Sequence, residues 1–231
     1  MIALFIWACL MLPYVRGNTE KVIFLGPSPA NIESTYPTLD YSRLDHLSPT
    51  NFTIRTHLKA EFPQNGSRRG KSSWFVLHNL NEGQRYEVRV CWPATQPTAF
   101  RLEAYELDAV FSTPDLTSDL AEYASTLQSN TKDHAISSQA LETYRKHPVM
   151  LLRVLAAADF YTTNHTLMEN VPPVHVDIIM DPFISNILPR SLIPTVAYII
   201  VVAIVSWFMG NWISSWVCQI AAQPTKQKKD Q

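Results

Sequence analysis

From Leu192 to Val217 the chain carries no charged side chain. Roughly 20 apolar residues rising 1.5 Å each cross a hydrocarbon core about 30 Å thick, so the pattern predicts one transmembrane helix over residues 191–217. Pro194 falls in its first turn, where a missing N–H costs little, and Trp207, Trp212 and Trp216 gather toward the far end as an interfacial aromatic belt does. The buried helix of a soluble domain rarely runs this long without a charge.

Upstream, the period changes from helical to alternating. Lys21 to Leu25 reads as a short strand closed by Gly26-Pro27-Ser28-Pro29, and Pro29 to Pro49 as a surface loop. Between Thr53 and Phe62, Ile54, Thr56, Leu58, Ala60 and Phe62 share one face, and Arg55, His57, Lys59 and Glu61 the other, which predicts a half-buried strand. Asn65 to Gly70 makes a turn, and Ser73 to Leu80, led by Trp74, Phe75, Val76 and Leu77, predicts a more fully apolar strand. Gly83 then stands three residues before Tyr86, and Tyr86, Val88, Val90 and Trp92 alternate against Glu87, Arg89 and Cys91. This resembles the corner and following strand of immunoglobulin and fibronectin type III sandwiches, where a tyrosine hydroxyl bonds back to the backbone; ordinary strand chemistry gives the same alternation.

Phe100 to Leu107 predicts a further strand. Thr113-Pro114-Asp115 has the form of a helix start, and Leu116, Leu120, Tyr123 and Leu127 follow at helical spacing. Gln128 to His147 is loosely patterned. Met150 to Phe160 alternates against Arg153 and Asp159, and Val174, Val176, Ile178 and Met180 against His175 and Asp177 in a last strand that Asp181-Pro182 should end. The expected fold is a mainly β domain, immunoglobulin- or fibronectin-like, with one amphipathic helix and a C-terminal membrane helix.

Flanking charge sets the expected orientation. Lys226, Lys228 and Lys229 follow the span and only Arg190 precedes it, so the positive-inside bias puts the tail, residues 218–231, in the cytosol and residues 18–190 in the lumen. Ile2 to Leu12 is apolar but too short to span, and Val15-Arg16-Gly17 suits signal cleavage, so residues 1–17 read as a signal peptide. About 170 residues remain, enough for one domain with a real core. A net charge of -1 offers no basic field for nucleic acid. Cys9 falls in the signal segment and Cys218 in the tail, which leaves Cys91 alone in the lumenal part, without a disulfide partner.

Chemistry is sparse. No pair of the seven histidines stands at metal-ligand spacing, and no Gly-rich phosphate loop, G-x-S-x-G or zincin motif occurs. Asp177 and Asp181 share a strand face but stand about 13 Å apart; they read as a solvent-facing strand residue and an Asp-Pro turn residue. No catalytic, cofactor or metal site is expected. Acceptor sequons stand at Asn51, Asn65 and Asn164. Lys228 and Lys229, fourth and third from the carboxyl end, have the spacing of the dilysine signal that coatomer reads in type I proteins of the endoplasmic reticulum. A tail of this kind does not suit a GPI-anchoring signal on the chain itself.

Four stretches together carry a family resemblance: Asn18 to Pro27, Arg85 to Thr98, Ala156 to Asn164 and Asp177 to Phe183. With the order of signal, lumenal domain and single span, the chain resembles the fungal accessory subunit of GPI mannosyltransferase II over nearly its whole length. The resemblance implies an endoplasmic reticulum membrane protein partnering a multi-pass catalytic subunit that adds the second mannose to the GPI precursor from dolichol phosphate mannose. It implies no catalytic residues. One helix cannot surround a polyprenyl donor and a lipid-linked acceptor. Ala197, Ala203, Ser206 and Gly210, small and near three- to four-residue spacing, are the candidate contacts to a second subunit. A type I cargo receptor or chaperone would share the signal, span and tail.

Overall fold

A computed structural model describes residues 18–28, 44–63, 70–128 and 148–221. Two sheets face each other over one core. The first has the order β1 (Thr19–Leu25), β5 (Arg85–Cys91), β8 (Val174–Ile184), β3 (Thr53–Leu58), with β9 (Leu188–Pro189) folding back on β8. The second has the order β2 (Asp45–Leu47), β4 (Lys71–Leu77), β7 (Met150–Ala158), β6 (Thr98–Glu106). Pairing between these strands is antiparallel except for β2 with β4, and an isolated parallel bridge joins Glu61 to Ala157.

The alternating positions form the core. Val88 and Val90 of β5 and Val176, Ile178 and Met180 of β8 meet Phe75 and Leu77 of β4 and Leu152 and Val154 of β7, all buried. Removing such surface from water contributes roughly 25 cal/mol per Å². The corner tyrosine is present: the Asn81 backbone N–H donates to the Tyr86 hydroxyl at 2.9 Å. Immunoglobulin connectivity does not accompany it. In that fold the first strand pairs with the second, whereas here β1 pairs with β5 and β2 runs parallel to β4.

Among the described residues, three helices belong to the body where the periodicity predicts one. α1 (Leu107–Ser112) follows β6 directly, and α2 (Pro114–Gln128) is the expected amphipathic helix. The Thr113 hydroxyl donates to the Ala109 carbonyl of α1, joining the two helices. α3 (His165–Glu169) is a short turn. α1 and α2 cover the outer face of the second sheet, where Val110 and Leu120 close a second apolar cluster on Trp74, Val76 and Leu151. Arg153 therefore lies under a helix, not in solvent. Its guanidinium is 2.9 Å from Asp119 Oδ2 and stacks over the Trp74 ring, while Asp119 also accepts from Ser72 Oγ at 2.6 Å and Trp74 Nε1 at 3.0 Å.

Two further expectations are corrected. Part of the expected 29–49 loop is strand: β2 pairs with β4, and Leu47 is fully buried. β8 also does not stop at Asp181-Pro182, since Asp181 pairs with Glu87 and Pro182 with Tyr86. Met180 N–H donates toward β3, to Phe52 O. Pro182, two residues on, turns its missing N–H to that same side, where β3 has already ended, so the proline breaks no ladder bond.

Candidate membrane junction

Among the described residues no helix covers the outer face of the first sheet, and the registers arrange that face in rows. At one end Leu25 stands beside Arg85, whose guanidinium covers the Phe183 ring at 5.8 Å. Next come Ile23, Glu87 and Asp181, then Lys21, Arg89 and Ile179. Farther along, Asp177 receives two bonds from the Arg55 guanidinium at 2.7 and 2.8 Å, and His57 and His175 share a ring-nitrogen bond of 3.1 Å. Hydrogen bonding to Arg55 holds the Asp177 carboxyl below its usual range, and the pairing raises Arg55. Exposed Leu25 and Ile23 thus stand at one end of the face, beside Arg85 and the buried Glu87 and Asp181, and the ion pair and the histidine pair at the other.

The Leu25 end is where the chain leaves for its apolar helix, and it is closely tied. Ser185 and Asn186 take positive φ values of 51° and 59°, and Ile187 N–H donates to Ile184 O at 3.1 Å, so a tight turn of the primed type joins β8 to β9. Asn186 tolerates that conformation. Its side chain accepts from Arg85 N–H at 2.8 Å and donates to Gly83 O at 2.9 Å. Gln84 Nε2 donates to Phe183 O at 3.2 Å, and its Oε1 accepts from the Tyr86 hydroxyl at 3.0 Å and Asn81 Nδ2 at 2.7 Å. Gly26 completes the corner: its N–H donates to Gln84 O at 2.8 Å, and a Cβ there would stand 2.1 Å from Asn81 O. Burial raises the Tyr86 hydroxyl pKa, opposed by the Asn81 amide.

Asp181 is the last tie. It is 5% exposed, inside β8, and both its carboxylate oxygens accept from Ser191 N–H, at 3.1 and 3.3 Å. Ser191 belongs to the 3-10 turn Arg190–Leu192 that starts the helix. A carboxylate there satisfies an amide that has no partner within the turn. The neighbouring Glu87, also 5% exposed, is 3.1 Å from Lys21 Nζ and 3.7 Å from Arg89 Nη1.

α4 (Ile193–Ala221) runs 29 residues, about 43 Å, without a charge, a kink-forming interior proline or a buried residue. It is the one helix among the described residues that is long and apolar enough to cross a membrane. Ala203, Ser206 and Gly210 stand at i, i+3 and i+7, on one face; Ala197, six residues before Ala203, lies ~120° round the helix. Nothing stands within 4 Å of a Cβ built on Gly210, so no other part of the described chain occupies that face.

The remaining candidates are separate. Asn51 and Asn164 are exposed, the first just before β3 and the second capping α3 through Oδ1 to Thr166 N–H at 3.1 Å. Asn65, Lys228, Lys229, residues 1–17 and most of Gln128–His147 lie outside the described residues. Cys91 is half-buried and accepts from Thr19 Oγ1 at 3.5 Å. No group of three or more His, Cys, Asp or Glu suited to a metal occurs among the described residues. The His57–His175 contact joins residues too far apart in sequence for spacing to reveal, Gln84 and Asn186 escaped the sequence reading, and Gly26 and Asp181 were read there only as turn residues. Only the Tyr86 corner hinted at them.

The family of GPI-mannosyltransferase II co-activators matches the chain over residues 8–212, which takes in both sheets, the junction and most of α4. The chain belongs to that family. No curated protein and no solved structure matches. The co-activator is thus an accessory subunit in GPI-anchor biosynthesis, working with a catalytic mannosyltransferase at the endoplasmic reticulum. The cargo-receptor or chaperone reading finds no support.

Proposed function

We propose that the co-activator itself transfers no sugar and is a single-pass type I subunit, its β body lumenal and its tail cytosolic, that supports a multi-pass catalytic partner adding the second mannose to the GPI precursor. The carrying observation is the family match together with a charge-free helix whose small-residue face the described residues leave uncovered. Without a hydrophobic drive in lipid, helices associate through close backbone approach, which small residues permit. Ala203, Ser206 and Gly210 form the packing face, and Ala197 extends the contact one side round. Lys228 and Lys229 would return the complex through coatomer, and Asn51, Asn65 and Asn164 would meet the glycosylation machinery.

The test is depletion followed by lipid analysis. Precursors bearing one mannose should accumulate and should clear on re-expression. Gly210→Leu should weaken recovery of the catalytic subunit from mild detergent while leaving the co-activator's abundance unchanged. An unchanged precursor profile after depletion, or sugar transfer by the purified co-activator alone, defeats the proposal.

A further inference from the structure

The junction carries an apolar rim that the body leaves bare. Ile187, at the tip of the β8–β9 turn, is 80% exposed, Leu25 55%, Ile23 49% and Ile184 47%. They do not belong to either core cluster. All four stand at the end of the first sheet from which the chain enters α4, and Leu192, 43% exposed, continues the patch into the helix. The opposite end of the same face carries Arg55, Asp177, His57 and His175. Phe52, Tyr161 and Leu167 are exposed singly elsewhere on the described body, in the ordinary scatter of such side chains, whereas Ile187, Leu25, Ile23 and Ile184 gather at one sheet end.

The connection allows little freedom. Between Ile187 and Ile193 the chain is paired to β8 through Leu188 and Pro189 and then wound in the Arg190–Leu192 turn. Asn186 fastens the tip to β5, and Asp181 fastens the turn to β8. Wherever α4 enters hydrocarbon, the rim is carried to within a few residues of it. The interfacial layer beyond the hydrocarbon is roughly 5–8 Å deep on each side, which is the depth at which apolar side chains of surface-lying segments settle.

We infer that this rim, Leu25, Ile184 and Ile187 above all, lies in the headgroup and acyl boundary of the bilayer, so that the β body rests on the lipid surface by one sheet end. The occupant is lipid, argued from continuity of the patch with the apolar helix. The inference rests on α4 spanning the membrane. Its consequence is positional: the charged end of the uncovered face is held away from the bilayer at a fixed height.

The experiment uses the full chain in phosphatidylcholine vesicles, its three native cysteines replaced by serine. A nitroxide is attached in turn at Leu25→Cys, Ile187→Cys, Val201→Cys and Lys59→Cys, and its accessibility to oxygen and to a water-soluble nickel chelate is read by power saturation. Labels at 25 and 187 should be open to oxygen and shielded from nickel, as at 201, while 59 should show the reverse. Adding Ile187→Glu should return the label at 25 to nickel without altering 201. If 25 and 187 behave like 59 while 201 stays shielded, the rim inference is overturned and the spanning helix stands. If 201 itself is open to nickel, the spanning helix fails and the inference with it. If 25 and 187 become shielded from both reagents only when the catalytic subunit is present, the rim is a protein contact and lipid is excluded as its occupant.

Discussion

Asn186 holds the entry to β5 from both sides of Gln84: its Oδ1 accepts the Arg85 backbone N–H at 2.8 Å while its Nδ2 donates to Gly83 O at 2.9 Å. Those two bonds fix the hairpin before the helix to the tyrosine corner. Asn186→Ala removes both and forces an alanine into positive φ, and should destabilise the body by roughly 2–3 kcal/mol. Asn186→Gly keeps the backbone conformation and should cost about 1 kcal/mol less. Urea midpoints from tryptophan fluorescence of the detergent-purified chain check the order; equal midpoints for the two variants would mean the positive φ carries no cost, and a glycine variant as stable as the parent would mean the side-chain bonds carry nothing.

Gly26 and Gly83 form a controlled pair within the same corner. A Cβ on Gly26 meets backbone, 2.1 Å from Asn81 O, which cannot yield without breaking the Asn81 to Tyr86 bond. Gly83 has a φ of +69° but open space around a Cβ. Gly26→Ala should therefore cost about 3 kcal/mol or more and deplete the protein in cells. Gly83→Ala should cost only ~1 kcal/mol from its left-handed backbone. Immunoblot abundance with thermal unfolding of both variants separates the steric term from the conformational one.

Asp119 fixes α2 to the second sheet. Asp119→Ala would leave Trp74 Nε1 and Ser72 Oγ without their acceptor and the largely buried Arg153 with Glu103 as its remaining anion, at 3.5 Å. Because both charged side chains keep some solvent contact, the expected loss is about 2–3 kcal/mol rather than that of a fully buried pair. Asp119→Asn, which keeps one acceptor oxygen, should lose less. Denaturant unfolding that shows no difference between the two would place the stabilisation in the apolar contacts of Leu120 instead.

Alternation revealed which side chains face the core, because period two is a local property: Val88, Val90, Ile178 and Met180 are buried as their spacing demands. The charge-free span and the tyrosine corner were legible for the same reason. What covers the other face is not local. Arg153 and Glu87 occupy polar phases of their strands and are nevertheless covered, Arg153 largely, under α2 and beside Trp74, and Glu87 almost fully, beside Lys21, Arg89 and Asp181. Asp181-Pro182 carries a turn signature that the end of β3 overrides. β2 escaped notice because three residues hold no period. The junction itself depends on contacts such as Gln84 to Phe183, 99 positions apart, which no spacing rule reaches.

Tyr123, on α2, provides a pH-dependent probe of that helix's docking. Burial first, and the nearby Asp45 carboxylate second, raise its hydroxyl from the ordinary 10.0 to about 12, opposed by a hydrogen bond with Ser73. The folded state thus binds the phenolic proton more tightly than the unfolded chain, for which 10.0 is the reference. Stability from this group is complete below pH 10 and is lost as pH rises toward 12, by up to roughly 3 kcal/mol. Tyr123→Phe should flatten that alkaline decline while leaving stability at neutral pH within about 1 kcal/mol of the parent, since only the bond with Ser73 is removed. Unfolding midpoints between pH 8 and 11, with tyrosinate absorbance followed in the folded chain, decide it. An alkaline decline of the same size in Tyr123→Phe would assign it to other groups, and a tyrosinate signal from position 123 near pH 10 would mean that α2 does not close over it.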